Sequence, residues 1–274
     1  MSEAGSPDDF CYRHPDRRSY ILCQRCGRTI CPECQTQAAV GVHCPECVRE
    51  ARASQPRVKR ANPFRRTSGR PVVTLSIIAL CALVFVADLV TGGRVNDALL
   101  YNPYFYTLSE PWRMLTAAFV HGGFLHVLLN MYSLYIFGSV LEQMLGRGRY
   151  LALYLISALG GSVAVLWLSP LTSVVGASGA IFGLFAAFFV IQRRLGVNNP
   201  QIVILLVINM AAGFFIPGIS WQAHLGGAIV GAVVALIYMA TRQPAQRVRQ
   251  RLLMAGLVVA LIAISVVRLF VPVA

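Results

Sequence analysis

Apolar segments alternate with shorter polar ones from residue 72 onward, and this alternation dominates the chain. A helix that crosses a membrane needs about 20 residues, with tolerance down to about 17. The segments lie at residues 72–90, 114–140, 150–168, 178–192, 201–217, 223–240 and 252–271, of which 178–192 is short. The pattern predicts seven membrane-spanning helices. The more polar interval 91–113 is predicted to be a long loop packed at the membrane interface by its aromatic residues.

Composition agrees with this pattern. Of the 274 residues, 56% are hydrophobic and 13% are charged, whereas soluble domains carry about 25% charged residues. Residues 1–70 hold 13 of the 24 basic residues and show no apolar signal-peptide core, so this polar part is predicted to stay in the cytoplasm. Lys59 is the only lysine, which suggests a GC-rich, bacterial genome and therefore a bacterial plasma membrane.

The distribution of arginine predicts the orientation. If the N-terminus is inside, the outer connections 169–177 and 218–222 carry no Lys or Arg, whereas the inner connections are rich in arginine. The inner arginines are Arg147, Arg149, Arg193, Arg194, Arg242, Arg247, Arg249 and Arg251. The positive-inside rule thus places the N-terminus in the cytoplasm and the C-terminus outside. Arg94, Arg113 and Arg268 are mild exceptions to this assignment.

Two residues that could perform nucleophilic chemistry begin helices descending from the outer side. Ser178 lies 15 residues before Arg193 and His224 lies 18 before Arg242, which correspond to about 22 Å and about 27 Å of helix. Both side chains therefore lie at a similar depth near the outer face. A hydroxyl and an imidazole are the minimum pair for acyl transfer.

A third predicted helix brings polar groups to the same depth. His121, His126 and Asn130 precede it or lie in its first turns, and His126 and Asn130, four residues apart, share one helix face. An amide, an imidazole and the backbone N–H of Ser178 could stabilise an oxyanion.

Each of these residues also has an ordinary structural explanation. A serine after glycine is commonly a packing or capping residue, and a lone membrane histidine is commonly hydrogen-bonded within the fold. Their convergence at one depth favours a reactive site instead. An aspartyl mechanism needs two carboxylates that share a site, and Asp88 and Glu142 lie toward opposite faces; Glu142 is expected to pair with Arg147 or Arg149.

The ordered motifs resemble those of the rhomboid family of intramembrane serine proteases over about residues 71–240. The matching strings are Glu110-Pro-Trp112-Arg113, His121-x4-His126-x3-Asn130, Gly176-Ala-Ser178-Gly179 and Ala223-His224-x2-Gly227-x3-Gly231. The resemblance implies an all-α polytopic fold with a six-helix core, to which this chain adds a seventh, C-terminal helix. It also implies a Ser178–His224 dyad without a third acidic member, with Asn130, His126 and the Ser178 backbone as oxyanion donors.

The resemblance extends to supporting positions. Trp112 and Arg113 match the family's first-loop motif, and Phe182 matches an aromatic position beneath the histidine. His121 also matches, with a structural role as plausible as a functional one. Independently of the family, the spacing Gly227-x3-Gly231 allows close approach of two membrane helices, and Gly179 and Gly183 repeat it.

Seven of the eight cysteines lie near the N-terminus, in paired spacing that in a reducing compartment indicates metal rather than disulfides. The four ligand pairs are Cys11/His14, Cys23/Cys26, Cys31/Cys34 and Cys44/Cys47. They suffice for two tetrahedral structural Zn²⁺ sites. The order resembles a B-box-like, cross-braced finger, which implies pairing of the first with the third and the second with the fourth pair. His43 remains an alternative ligand.

The predicted organisation is therefore a flexible tail at 1–10, a zinc module at 11–48, a basic linker at 49–70, a protease core at 71–240, and a basic loop with the seventh helix at 241–274. The linker is interpreted as a solvated tether or as a segment attracted to anionic lipid, and the two interpretations are compatible. Expected partners are membrane-protein substrates, the lipid bilayer and an unknown cytosolic partner of the zinc module. Nucleic acid is not expected, because no recognisable binding module is present.

Two other functions fit parts of the sequence. A catalytically silent member of the same superfamily could bind membrane proteins or serve their quality control, but it would have no need of Ser178 and His224. A zinc-regulated transporter would need polar groups at the membrane midplane, and the sequence lacks them.

Overall fold

The structure is a computed structural model that describes residues 7–38, 40–54, 69–216 and 218–271. It divides into two compact units, Met1–Ala61 and Asn62–Ala274. Within the predicted tail and linker, residues 1–6 and 55–68 lie outside the described residues.

The first unit contains two antiparallel strand pairs and one helix. Strands β1 (Phe10–Cys11) and β2 (His14–Arg18) pair with each other, as do β3 (Thr36–Gln37) and β4 (Val42–His43). Helix α1 (Pro45–Ser54) follows and continues six residues past the predicted end of the module at residue 48. The i,i+3 pair of Glu46 and Arg49, with N–O at 3.0 Å, supports this continuation.

The described part of the second unit consists of helices joined by loops. Its long helices are α2 (Val72–Thr91), α6 (Phe124–Ser133) continuing through a π-helical segment Leu134–Gly138 into α7 (Ser139–Leu145), α8 (Arg147–Leu168), α9 (Ser178–Arg194), α10 (Pro200–Phe215), α11 (Trp221–Ala240) and α12 (Arg247–Leu269). Within the described residues, five of these spans are long and apolar enough to cross a membrane; α9 and α10, with 17 and 16 residues, are shorter. The predicted all-α polytopic fold, with six core helices and one more, is confirmed.

The loop predicted at 91–113 is more structured than expected. It contains α3 (Arg94–Leu99) and α4 (Pro103–Tyr106), and α5 (Arg113–Thr116) follows directly. At α4, the Asn102 side chain caps the Tyr104 N–H and Pro103 occupies the first turn, a combination that starts short helices. The second membrane span consequently begins at Phe124, not at residue 114.

Glu142 has a different role from the one predicted. Its two carboxylate oxygens accept hydrogen bonds from the backbone N–H groups of Val73 and Thr74, at 3.0 and 2.8 Å, and from the Thr74 hydroxyl. Among the described ion pairs, none joins Glu142 to Arg147 or Arg149. The free N–H groups at the start of α2 take up the buried carboxylate, because a helix N-terminus attracts negative charge.

Glycines bring the backbones of α8, α9 and α11 into direct contact. A Cβ atom at Gly227 would overlap the carbonyl oxygen of Gly179, and one at Gly231 would overlap that of Gly183. On the other side of α11, a Cβ at Gly226 would overlap the carbonyl oxygen of Gly160. Lipid tails are as apolar as the helix surfaces, so the hydrophobic effect does not drive membrane helices together. Close packing contacts of this kind stabilise their association instead. The predicted glycine contact between α9 and α11 is thus present.

This contact predicts that Gly231→Ala destabilises the protein. The added methyl group must displace the α9 backbone, and overpacking of this kind costs roughly 1–3 kcal/mol. Thermal unfolding of the purified protein in detergent should show a lower Tm. Gly256→Ala in α12 is the matched control, because a Cβ there meets nothing within 4 Å, and it should leave Tm unchanged or raise it slightly. Equal Tm values for the two variants would contradict the packing described.

Candidate active site

Ser178 is the first residue of α9 and follows a tight turn. Gly176, two residues earlier, has a φ of 119°, which L side chains rarely adopt. The Gly176 N–H donates to the carbonyl oxygen of Ala117 at 2.8 Å. Tyr101 and Val174 exchange backbone hydrogen bonds of 3.1 and 2.8 Å just before the turn. The loop that presents Ser178 is therefore fixed by backbone hydrogen bonds.

His224 lies in the first turn of α11. Ser220 caps this helix, since its hydroxyl accepts from the Ala223 N–H at 3.2 Å. The imidazole stacks on the Phe182 ring, with centroids 4.0 Å apart and planes 11° from parallel. Phe182 is one helical turn after Ser178, so the stacking places the imidazole against α9 within one turn of the serine. Phe182 therefore lies against the histidine, as the family resemblance implies.

His126 and Asn130 approach the same place from α6. The His126 ring lies so close to the turn before Ser178 that a Cβ at Gly176 would be 2.7 Å from its Cε1 and Nε2 atoms. His126 Nδ1 accepts from the Gly122 N–H at 3.4 Å, so in the neutral ring Nε2 carries the proton and faces the turn. Asn130 Nδ2 donates to the His126 carbonyl oxygen at 2.8 Å, which leaves its second N–H for another acceptor.

One cavity of about 810 Å³ joins these groups. The predicted site residues that line it are Ser178, His224, Asn130, His126, Gly176, Gly179 and Phe182. His224 is 5% exposed, and among the described residues its Nδ1 has no hydrogen-bond partner. The cavity thus combines a hydroxyl, an imidazole and several N–H donors in a largely apolar surround, which is the set that acyl transfer requires.

Five predicted supporting residues lie outside the cavity lining: Gly227, Gly231, Arg113, Trp112 and His121. Gly227 and Gly231 form the helix contact described above. Arg113, 7% exposed, donates to a Glu110 carboxylate oxygen at 2.7 Å and to the Asp97 carbonyl oxygen at 2.6 Å. Trp112 is half-exposed. Arg113 therefore stabilises the segment between α3 and α5 through these hydrogen bonds, and it does not line the cavity.

His121 lies beside His126 but not on the cavity. The two rings meet edge to face, with centroids 5.2 Å apart. His121 is 2% exposed, and neither of its ring nitrogens has a hydrogen-bond partner among the described residues. Its contact with His126 makes it a neighbour of the site.

Sequence reasoning missed the polar outer rim of the cavity. The Gln222 amide donates to the Ser169 hydroxyl at 3.1 Å, and both residues line the cavity. Trp221 lines it too and stacks on Phe214 of α10 at 4.9 Å. Ser220 two residues before Gln222 is a recognisable N-cap, and it could have indicated that this helix begins beside the histidine.

The first unit contains two clusters that could hold metal ions. One consists of Cys11, His14, Cys31 and Cys34, and the other of Cys23, Cys26, Cys44 and Cys47. In each cluster the ligand atoms lie within 4.8 Å of one another. This grouping joins the first pair with the third and the second with the fourth, the arrangement that the cross-braced resemblance implies. His43 belongs to neither cluster.

The geometry of the clusters fits a tetrahedral ion. Two thiolates on one Zn²⁺ lie about 3.8 Å apart when each Zn–S bond is about 2.3 Å. The Cys26 and Cys44 sulfurs are 3.7 Å apart, and the Cys31 sulfur is 3.4 Å from His14 Nδ1. Burial raises the pKa of the Cys11 thiol, but hydrogen bonds from backbone N–H groups, that of Cys31 foremost, outweigh it and lower this pKa to about 6. Such donors favour the thiolate form that binds metal.

Comparison with known proteins identifies the family. The Rhomboid domain model matches residues 108–241. The chain is 36% identical over 185 residues to a putative rhomboid protease, YdcA, of Bacillus subtilis, covering 61% of this chain and 88% of that protein. The chain belongs to the rhomboid family, and the family predicted from its motifs is confirmed.

Two further relatives are similar over smaller shares of their length or at lower identity. The rhomboid protease GluP of Bacillus subtilis is 34% identical over 181 residues, which cover 61% of this chain but 35% of GluP. The rhomboid protease AarA of Providencia stuartii is 25% identical over 224 residues, covering 66% of this chain and 79% of AarA. The chain thus spans about a third of GluP and most of the other two proteins.

Proposed function

We propose that this protein is an intramembrane serine endopeptidase with Ser178 as nucleophile and His224 as general base. The observation that supports the proposal is the shared cavity, which both Ser178 and His224 line and in which the imidazole stacks on Phe182, one helical turn after the serine. Membership of the rhomboid family and similarity to rhomboid proteases support it.

The first half of the reaction forms an acyl-enzyme. Ser178 Oγ attacks the peptide carbonyl carbon while its proton passes to an imidazole nitrogen of His224. The tetrahedral intermediate then collapses, the C–N bond breaks, and the imidazolium returns the proton to the leaving amine. In the second half, water loses a proton to the same imidazole and attacks the ester carbonyl carbon. The C–O bond to Ser178 then breaks, and the imidazolium returns the proton to Ser178 Oγ, which regenerates the dyad.

The oxyanion of the tetrahedral intermediate would be held by three N–H groups. These are the free amide N–H of Asn130, the Nε2–H of His126 and the backbone N–H of Ser178 at the start of α9. The positive end of the helix dipole lies at the same point. Donors that are fixed before the reaction stabilise developing charge without reorganisation, and the hydrogen bonds of His126 and Asn130 fix these two side chains.

The substrates would be transmembrane or juxtamembrane segments of other membrane proteins, cleaved near the outer face. A helical segment in lipid keeps its carbonyl groups in hydrogen bonds. Residues that destabilise the substrate helix should therefore favour cleavage. The polar rim formed by Ser169, Gln222 and Asn209 offers partners for an unwound backbone and for water.

Cleavage of a labelled transmembrane peptide in proteoliposomes tests the dyad. The wild type should cleave it, whereas Ser178→Ala and His224→Ala should fall to background because each removes one half of the nucleophilic pair. Asn130→Ala should lower kcat by roughly 10²- to 10³-fold as one oxyanion donor is lost. Ser265→Ala is the matched control, since that hydroxyl bonds to Leu261 within α12, and it should keep wild-type activity.

Activity that survives Ser178→Ala would refute the assignment of the nucleophile. An inactive wild type whose Ser178 also fails to react with a fluorophosphonate probe would refute the protease and favour a catalytically silent membrane-binding protein. Labelling of Ser178 without cleavage would instead support the dyad and indicate that the peptide is not a substrate.

For the first unit we propose two structural Zn²⁺ ions and no metal in catalysis. A module of this size buries little core, so metal binding would supply its folding free energy. Metal analysis of the purified full-length protein should give two zinc ions per chain. Cys34→Ser and Cys47→Ser should each remove about one of them, because each removes a ligand of one cluster.

Cys81→Ser is the control for this measurement, because Cys81 is buried in α2, outside both clusters. It should leave the zinc content unchanged. Full occupancy in Cys34→Ser and Cys47→Ser, or iron in place of zinc, would contradict the proposal.

We also propose a multi-pass protein of the bacterial plasma membrane, with its N-terminus in the cytoplasm. Alkaline phosphatase, which is active only outside the cytoplasm, should be active when fused after Gly218 or Val271 and inactive when fused after Gln243. The connection that contains Gln243 is rich in arginine, and the positive-inside rule assigns such connections to the cytoplasm. The opposite pattern of activities would invert the topology and move the proposed active site to the cytoplasmic side.

A further inference from the structure

A second cavity lies at the arginine-rich end of the helices, away from Ser178. It measures about 320 Å³ and is open to the surface between α8 and α12, with Tyr238 of α11 at its back. Arg149 and Arg251 are its charged lining residues, whereas Ile156, Met254 and Val258 line its apolar part. The cavity therefore combines a cationic mouth with an apolar interior.

Hydrogen bonds hold Arg149 at this mouth. Its Nε donates to the Gln250 side-chain oxygen at 2.9 Å. Gln250 is 7% exposed and is itself fixed by donation to the Thr241 hydroxyl at 2.8 Å. The Tyr238 hydroxyl donates to the backbone carbonyl oxygen of Arg149 at 3.0 Å. A guanidinium held in this way loses little further side-chain entropy when it binds an anion.

Within the described residues, no acidic side chain neutralises the charge of Arg149 and Arg251. None of the ion pairs among the described residues involves Arg149 or Arg251. In the part of the chain that the structure describes, the hydrogen bond to Gln250 uses only the Nε of Arg149, so its terminal N–H groups are left for a ligand. Helices α8 and α12 both begin beside the cavity, so their N-terminal partial charges add to the positive field.

We propose that this cavity is a binding site for an anionic phospholipid. The phosphate would accept hydrogen bonds from Arg149 and Arg251, while part of an acyl chain would lie against Ile156, Met254 and Val258. A soluble anion would bind the arginines but leave the apolar part of the cavity empty. A zwitterionic lipid would carry a positive charge in its own headgroup, which Arg149 and Arg251 would repel. Basic pockets between helices at the cytoplasmic side have the chemistry that anionic headgroups require.

Native mass spectrometry of the delipidated full-length protein in detergent tests the site, with titration of phosphatidylglycerol. Arg149→Gln and Arg251→Gln should each weaken binding about five-fold, as expected for about 1 kcal/mol per basic residue. Arg194→Gln, an exposed arginine in another connection, is the matched control and should bind as the wild type does. Ala152→Phe, which fills the interior without changing charge, should abolish the retained lipid.

Three results would overturn the proposal. These are unchanged phosphatidylglycerol binding in Arg149→Gln and Arg251→Gln, equal binding of phosphatidylcholine by the wild type, and displacement of the lipid by inorganic phosphate at comparable concentration. Thermal unfolding measured in parallel shows whether each variant is folded. The readout is lipid retention, so the result is independent of whether the protein cleaves peptides.

Discussion

The close backbone contact between α9 and α11 is the constraint on which the rest of the helical unit depends. Gly227 and Gly231 lie against the carbonyl oxygens of Gly179 and Gly183, at a separation that admits no side chain between them. Because α9 begins at the serine and α11 begins three residues before His224, this contact fixes the relative height of the two. The arrangement of the site therefore depends on helix packing. A substitution in the packing surface should disturb the packing and, with it, the positions of Ser178 and His224.

Among the described residues, Nδ1 of His224 has no hydrogen-bond partner, acidic or otherwise. In the proposed Ser178–His224 dyad, the imidazole would lack the carboxylate that fixes its ring in a Ser-His-Asp triad. Stacking on Phe182 would orient the ring instead, and the Ser220 cap fixes the start of its helix. A carboxylate at that depth would need its own donors, because a buried unpaired charge is costly. Glu142 illustrates this cost, since its buried carboxylate accepts hydrogen bonds from two backbone N–H groups of α2 and from the Thr74 hydroxyl.

The sequence predicted the membrane helices and the members of the site because both have strong signals: long apolar runs, and polar residues that are rare within them. It could not predict the short helices at Arg94–Leu99 and Pro103–Tyr106, since segments this short are determined by caps and tertiary contacts rather than by periodicity. It also assigned Glu142 to nearby arginines. Opposite charge alone suggested the arginines as partners. The observed partners include backbone N–H groups of Val73 and Thr74 in α2, and a pattern of side chains along the sequence does not indicate which backbone groups a carboxylate will contact.

Hydrolysis inside a membrane needs water, and the distribution of unsatisfied polar groups suggests how this fold provides it. Nδ1 of His224 and both ring nitrogens of His121 are buried and, among the described residues, have no protein partner. Buried polar groups without protein partners are the usual places for ordered water. His224 faces the cavity whose rim carries Ser169 and Gln222. Water held by His224 would share this cavity with Ser178, the proposed nucleophile, so the polar rim that would support an unwound substrate would also supply the second reactant.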